Sequence, residues 1–156
     1  MRVVFFGTPA FAVPTLEALL DAGHDVAAVV TQPDRPQGRS RSQLVPPPVK
    51  TAACAAGLAV LQPVKPIGDL FVATLRGLEA KFGVVVAYGH ILKPHVLEIP
   101  ARGMLNVHAS LLPALRGAAP IQWAIRNGET QTGVTIMQME AGLDSGPVFL
   151  QRRTPI

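Results

Sequence analysis

Cysteine occurs once in this chain, at Cys54, so no intrachain disulfide can form and a reducing compartment is the natural setting. Charge is scarce as well: 15% of residues are charged against 49% hydrophobic, a balance that excludes disorder and suits strands covered on both faces. Despite that apolar content, no uninterrupted apolar run reaches the roughly 18 residues of a membrane span. Nor does the amino-terminal end read as a signal peptide, because Val3-Val4-Phe5-Phe6 breaks at once into Gly7-Thr8-Pro9. A cytoplasmic protein with no membrane partner is therefore expected. The dinucleotide fingerprint GxGxxG and the Walker A sequence are both missing, which removes the usual sequence grounds for a nucleotide cofactor. His24, His90, His95 and His108 show no HxxxH spacing and there is no CxxC, so no metal is expected.

What is present fits one domain of 156 residues, long enough to bury a core unaided. Val3 to Phe6 reads as a strand ended by Gly7, and Phe11 to Leu20 carries apolar residues at helical spacing until Gly23. Asp25 to Thr31 is a second strand. Strands separated by a helix predict a parallel βαβ unit with a right-handed crossover. Further along, the pattern predicts helices at Val49–Ala56, Gly68–Lys81 and Ala118–Arg126, and strands at Leu58–Leu61, Gly83–Ala87, Met104–His108 and Val134–Met139. The fold class is α/β, a Rossmann-like open and mostly parallel sheet with helices on both faces. Such sheets bind ligands at the carboxyl ends of their strands, where Gly7, Tyr88-Gly89 and His108 fall.

Gln32 to Pro48 breaks the periodicity with Pro33, Pro36, Gly38 and Pro46-Pro47-Pro48 and reads as a long surface loop. Its Arg35, Arg39 and Arg41 can follow an RNA backbone, in keeping with a net charge of +4. Lys50 can serve RNA phosphates or merely solubility. Trp123 and Met137-Gln138-Met139 read as core, since both lie inside periodic elements.

The residues richest in chemistry are Asn106, His108 and Asp144. Two apart on a strand, Asn106 and His108 project to one face while Val107 faces the opposite layer. An amide N–H can stabilise oxyanion charge, an imidazole can move the proton of an attacking amine, and a nearby carboxylate can favour the protonated ring. That set suits acyl transfer without a covalent nucleophile.

Around this trio the chain resembles the folate-dependent formyltransferase family through Asn106-Val107-His108-Ala109-Ser110-Leu111-Leu112-Pro113. The methionyl-tRNA branch of that family is matched by Phe6-Gly7-Thr8-Pro9, Thr31-Gln32-Pro33-Asp34-Arg35-Pro36, Val86-Ala87-Tyr88-Gly89, Arg116-Gly117-Ala118-Ala119-Pro120-Ile121-Gln122 and Gly133-Val134-Thr135-Ile136-Met137. The resemblance implies formyl transfer from 10-formyltetrahydrofolate to the α-amine of methionyl initiator tRNA, by a monomer acting in translation initiation. It implies Asn106, His108 and Asp144 as the catalytic residues. It also implies Ser110, Leu111, Leu112 and Pro113 as a folate-contacting turn, with Tyr88, Gly89, His90 and Ile91 bordering the pterin. By the same resemblance, residues 1–156 are a catalytic domain truncated at its carboxyl end, without the OB-like tRNA-binding domain that follows in the family. Ala114-Leu115 stands where the family commonly has an Arg-Trp-like pair. A second reading shares the Asn106–Pro113 element: formyl transfer to a glycinamide ribonucleotide or an amino-sugar nucleotide. A third, motivated by the early stop at Ile156, is a noncatalytic folate- or RNA-binding fragment.

Overall fold

The computed structural model describes residues 1–37 and 43–156. In chain order the elements are β1 (Arg2–Gly7), a 3-10 turn (Ala10–Ala12), α1 (Val13–Asp21), β2 (Asp25–Val30), β3 (Arg35–Gln37), β4 (Gln43–Val45), α2 (Pro48–Ala55) and β5 (Val60–Leu61). There follow α3 (Asp69–Gly77), β6 (Phe82–Val86), α4 (Pro94–Leu97), β7 (Met104–His108), α5 (Pro120–Arg126), β8 (Gln131–Gln138) and β9 (Val148–Pro155). Proline opens α1, α2, α4 and α5 within the first turn, where a missing N–H costs nothing and the fixed φ is already helical. Four of the chain's 15 prolines thus start helices, among them Pro48, which in the sequence read as loop punctuation.

A seven-stranded sheet in the order β5-β2-β1-β6-β7-β8-β9 forms the frame. From β5 to β7 the pairing is parallel, and β8 and β9 add to the edge antiparallel. The mostly parallel Rossmann-like reading holds, and the antiparallel end follows from chain direction, since β8 pairs beside β7 and β9 returns beside β8. Strand-by-strand alternation sorts the core into two layers. Val4, Phe6 and Val85 face α3 and α4 with Leu75 and Val96, while Val3, Phe5, Val84 and Val86 face α1 and α2 with Leu16, Val49 and Ala53. Each buried strand is apolar on both faces because each face meets a helix layer.

Several local features differ from the sequence pattern, among them a short helix α4 where none was expected and a β5 confined to Val60–Leu61. The basic loop contains a short antiparallel ribbon, β3 on β4, with Arg35 opposite Val45 and Gln37 opposite Gln43. Its signal was hidden by Pro36, which an isolated two-stranded ribbon tolerates because one side of each strand is unpaired. Helix α3 stops at Gly77 rather than Lys81, and Glu79 then takes a left-handed φ of +50° that ends the helical path. Strand β9 had no alternating pattern to announce it, and its residues are exposed along its whole length.

Candidate active site

The chain direction across the sheet reverses between β1 and β6, since β2 and β5 lie to one side of β1 and β6 and β7 to the other. The loops leaving β1, β2 and β6 open a crevice of about 320 Å³ at that point, lined among others by Thr8, Gln32, Arg35, Pro47, Tyr88 and Gly89. A crevice at this position is what an open α/β sheet provides for a ligand. Thr8 Oγ1 and Gln32 Nε2 both donate to the Tyr88 carbonyl, at 2.8 and 3.3 Å, and so tie its floor together. Gly89 is required here: its φ is +86°, and an added Cβ would lie 2.6 Å from Gln32 Nε2.

On the neighbouring strand, β7 carries Asn106 and His108 to its carboxyl end, with Val107 packed on the opposite layer. Asp144 arrives from the loop between β8 and β9 in a left-handed conformation, φ +47°, which an aspartate tolerates better than most side chains. The three side chains meet. Asn106 Nδ2 donates to Asp144 Oδ1 at 3.4 Å, and His108 Nδ1 lies 3.7 Å from Asp144 Oδ2. The backbone N–H of Gly117 donates to that same Oδ2 at 2.8 Å and anchors the carboxylate.

The other ring nitrogen, His108 Nε2, is 3.0 Å from the Leu115 carbonyl. A carbonyl can only accept, so Nε2 carries the hydrogen and the neutral ring offers a bare Nδ1 on the Asp144 side. A proton taken up at Nδ1 would find the carboxylate already in place. Leu115 holds its carbonyl there from a left-handed φ of +56°, a strained backbone for a leucine. His108 is 7% exposed and Asp144 12%, so their attraction is little screened by water.

Behind His108 the chain turns sharply, and Thr135 of β8 organises that turn. Its hydroxyl donates to the Ser110 carbonyl at 2.7 Å and accepts from the Leu112 N–H at 3.1 Å. Gln151 Nε2 of β9 donates to both the Leu112 carbonyl and Thr135 Oγ1, at 2.7 and 3.0 Å. Ser110 Oγ donates to the Ala114 carbonyl at 2.6 Å, so this hydroxyl is engaged within the turn. Of the turn residues, Ser110 and Leu112 are buried, Leu111 is half-buried and Pro113 is exposed. Sequence reasoning missed Thr135, Gln151, Gly117 and Leu115 as positioning groups. A buried hydroxyl on an otherwise apolar strand face was the available signal for Thr135, whereas Gln151 lies on the strand that went unread.

Tyr88 is buried, its ring edge-on to Phe6 at 5.5 Å, and it reaches the crevice through its backbone. His90 packs against Tyr88 at the same centroid distance of 5.5 Å, and Ile91 is 80% exposed. A second hollow, of about 440 Å³, lies between α4 and the Gln138–Ala141 turn. Neither hollow is lined by the trio itself, which sits beside β6 on the next strand.

At the rim, Arg35 is exposed and donates to Gln32 Oε1, while Arg39 and Arg41 lie outside the described residues. Lys50, read from sequence as a phosphate ligand or a solubilising charge, is committed to Asp34, donating to both carboxylate oxygens at 2.8 Å. Hydrogen bonds from Gln62 and Lys50 hold the Asp34 carboxyl below its usual range. Trp123 is not core as its periodicity suggested: it is 46% exposed, with the Arg126 guanidinium 4.8 Å over its ring, while Met137 is buried as expected. Among the described residues no group of three or more potential metal-ligating side chains comes together, and no helix is long and apolar enough to cross a membrane.

Comparison with known proteins adds to this geometry. The formyl transferase family model matches residues 1–156. The chain is 58% identical over 156 residues to a methionyl-tRNA formyltransferase of Pelotomaculum thermopropionicum, covering all of this chain and 50% of that protein. It is 59% identical over 152 residues to the methionyl-tRNA formyltransferase of Acidobacterium capsulatum, covering 97% and 49%. The chain thus spans about half the length of the curated relatives it matches. The fold is shared with phosphoribosylglycinamide formyltransferase from Bacillus halodurans, at a TM-score of 0.78 and 24% identity, over 100% of this chain and 80% of that one.

Proposed function

Because this chain belongs to the formyl transferase family, we propose that it forms the catalytic domain of an enzyme that formylates methionyl initiator tRNA. The donor in this reading is 10-formyltetrahydrofolate, the compartment is the cytoplasm, and the protein acts as a monomer in translation initiation. Its relatives are about twice as long, and an OB-like domain that grips tRNA is the proposed content of the remainder. The observation that carries the reading is the convergence of Asn106, His108 and Asp144 at the carboxyl end of β7.

The chemistry follows from those side chains. The methionyl amine attacks the formyl carbon with its lone pair, and the formyl oxygen takes up the displaced electrons as an oxyanion. The Asn106 Nδ2 hydrogen not given to Asp144 is the donor that stabilises it. His108 accepts the proton shed by the amine at Nδ1, with the Asp144 carboxylate facing the resulting charge, and returns it to the folate nitrogen as the carbon–nitrogen bond to the donor breaks. Asp144 acts by orienting the ring, and Gly117 keeps Asp144 in position. In the same reading Leu111 and Pro113, the more open residues of the Ser110–Pro113 turn, contact the folate, and the backbone of Tyr88, Gly89, His90 and Ile91 borders its ring. The part of the switch-point crevice lined by Arg35 and the β3–β4 ribbon then lies on the acceptor side, and the Arg35, Arg39 and Arg41 charges serve the RNA backbone.

Sequence identity favours the tRNA acceptor over a small amine, since 58% identity goes with a methionyl-tRNA formyltransferase and 24% with a phosphoribosylglycinamide formyltransferase. The test is mass-spectrometric detection of formylmethionine after incubation with 10-formyltetrahydrofolate and methionyl initiator tRNA, with glycinamide ribonucleotide as competing acceptor. Loss of one oxyanion donor in Asn106→Ala should lower the rate by about 10²–10³. Formylation that survives this substitution, or that goes to the small amine, would overturn the reading.

A further inference from the structure

One wall of the switch-point crevice is built from the β3–β4 ribbon and the prolines that follow it, with Arg35, Val45, Pro46 and Pro48 among its lining residues. An isolated two-stranded ribbon is at best marginally stable in water, so this wall needs an external hold. A compact polar group supplies one. Asp34 stands immediately before β3, Lys50 lies in α2 just after the ribbon, and Gln62 follows β5. Lys50 Nζ donates to Asp34 Oδ1 and Oδ2, both at 2.8 Å, which closes the chain segment containing the entire ribbon. Gln62 Nε2 donates to Asp34 Oδ1 at 2.7 Å and to the Gln32 carbonyl at 2.9 Å, fastening that closure to the edge of the main sheet.

The charges are arranged for internal use. Asp34 and Lys50 are each 27% exposed, and both oxygens of the carboxylate are engaged by the ammonium. Lys50 therefore contributes to the crevice through Asp34 and not as a phosphate ligand. The catalytic trio makes no hydrogen bond to this group.

We infer that Asp34, Lys50 and Gln62 are positioning residues that set the stance of the β3–β4 wall and thereby the affinity for the nucleic-acid acceptor, without touching the reacting atoms. The identity of that acceptor rests on the formyl-transfer reading above; the geometry of the clamp does not. A clamp of this kind acts on binding shared by ground and transition states, which appears as KM and leaves kcat in place.

The experiment compares the protein with Lys50→Met, which keeps the apolar stem and removes the charge, and with Lys50→Arg, which restores a donor to Asp34. Hydrogen exchange should accelerate at residues 35–37 and 43–45 in Lys50→Met and return toward the parent rate in Lys50→Arg. In steady-state formylation, KM for methionyl initiator tRNA should rise about fivefold in Lys50→Met, with kcat and KM for 10-formyltetrahydrofolate unchanged. Should Lys50→Met lose its cooperative thermal melt, Asp34→Asn carries the same measurements, since it keeps the side-chain shape and an oxygen for Gln62. Unchanged exchange in the ribbon, an unchanged KM for the tRNA, or a fall in kcat in its place would each overturn the inference. A parent protein that makes no formylmethionine would defeat the functional reading alone, and the exchange pattern would still decide whether the clamp holds the ribbon.

Discussion

At the scale of single residues, two buried groups define what this chain tolerates. His108 is held by a carbonyl on one nitrogen and faces a carboxylate with the other, which fixes the orientation of its ring. Tyr88 is the sole tyrosine, its phenol oxygen is buried with no hydrogen-bond partner among the described residues, and burial pushes its pKa up to about 12. The raised value favours the neutral phenol, so its contribution to stability is complete below the unfolded pKa near 10 and is lost as pH rises toward the folded value. Urea unfolding between pH 8 and 12 should show this alkaline loss in the parent protein and a smaller one in Tyr88→Phe. Near neutral pH the same substitution should leave stability unchanged or raise it, since it removes an unsatisfied buried hydroxyl that costs about 1–3 kcal/mol. A clear drop in the unfolding midpoint would contradict that.

At the scale of elements, the turn after β7 and the ribbon before α2 both depend on side chains supplied by other segments. Thr135→Val keeps shape and removes the hydroxyl that serves the Ser110 carbonyl and the Leu112 N–H. The expected cost is about 1–3 kcal/mol in denaturant unfolding, accompanied, under the proposed function, by slower formyl transfer as the turn behind His108 loosens. The ribbon has its own pH dependence. Because Gln62 and Lys50 depress the Asp34 pKa, their stabilisation is present above the unfolded aspartate value near 3.9 and disappears as pH falls through the lower folded value. Parent and Asp34→Asn should therefore differ by a constant stability from pH 5 to 7 and converge in the acid range; parallel curves at all pH values would show that the clamp does not titrate. These elements also mark what the sequence made legible. Strands β1, β2 and β6 stood out because each is a largely apolar run on a doubly covered sheet, whereas β3 and β4 were masked by proline and β9 by Gln151-Arg152-Arg153.

For the whole molecule, the sheet is both scaffold and locator. Phe5, fully buried at its centre, packs the layer under α1 and α2, and Phe5→Ala should cost about 3–5 kcal/mol in urea unfolding if that layer cannot collapse around the gap. A cost well below that range would mean the layer relaxes. The sequence by itself determined the α/β class, the period-2 division of each strand between two helix layers, and the common face of Asn106 and His108, because these follow from local spacing along one element. It also carried the family, through stretches on either side of the trio. The family resemblance had grouped Asp144 with Asn106 and His108; the tertiary structure supplied the contact that joins Asp144 to Asn106 across a separation of 38 residues, and it alone decided that Thr135 and Gln151 brace the turn. It likewise decided that Lys50 serves Asp34 and that Trp123 lies at the surface. Each of these depends on which distant segments the strand order brings together, and a polar or aromatic residue shows its partner only when both ends of the contact have been placed.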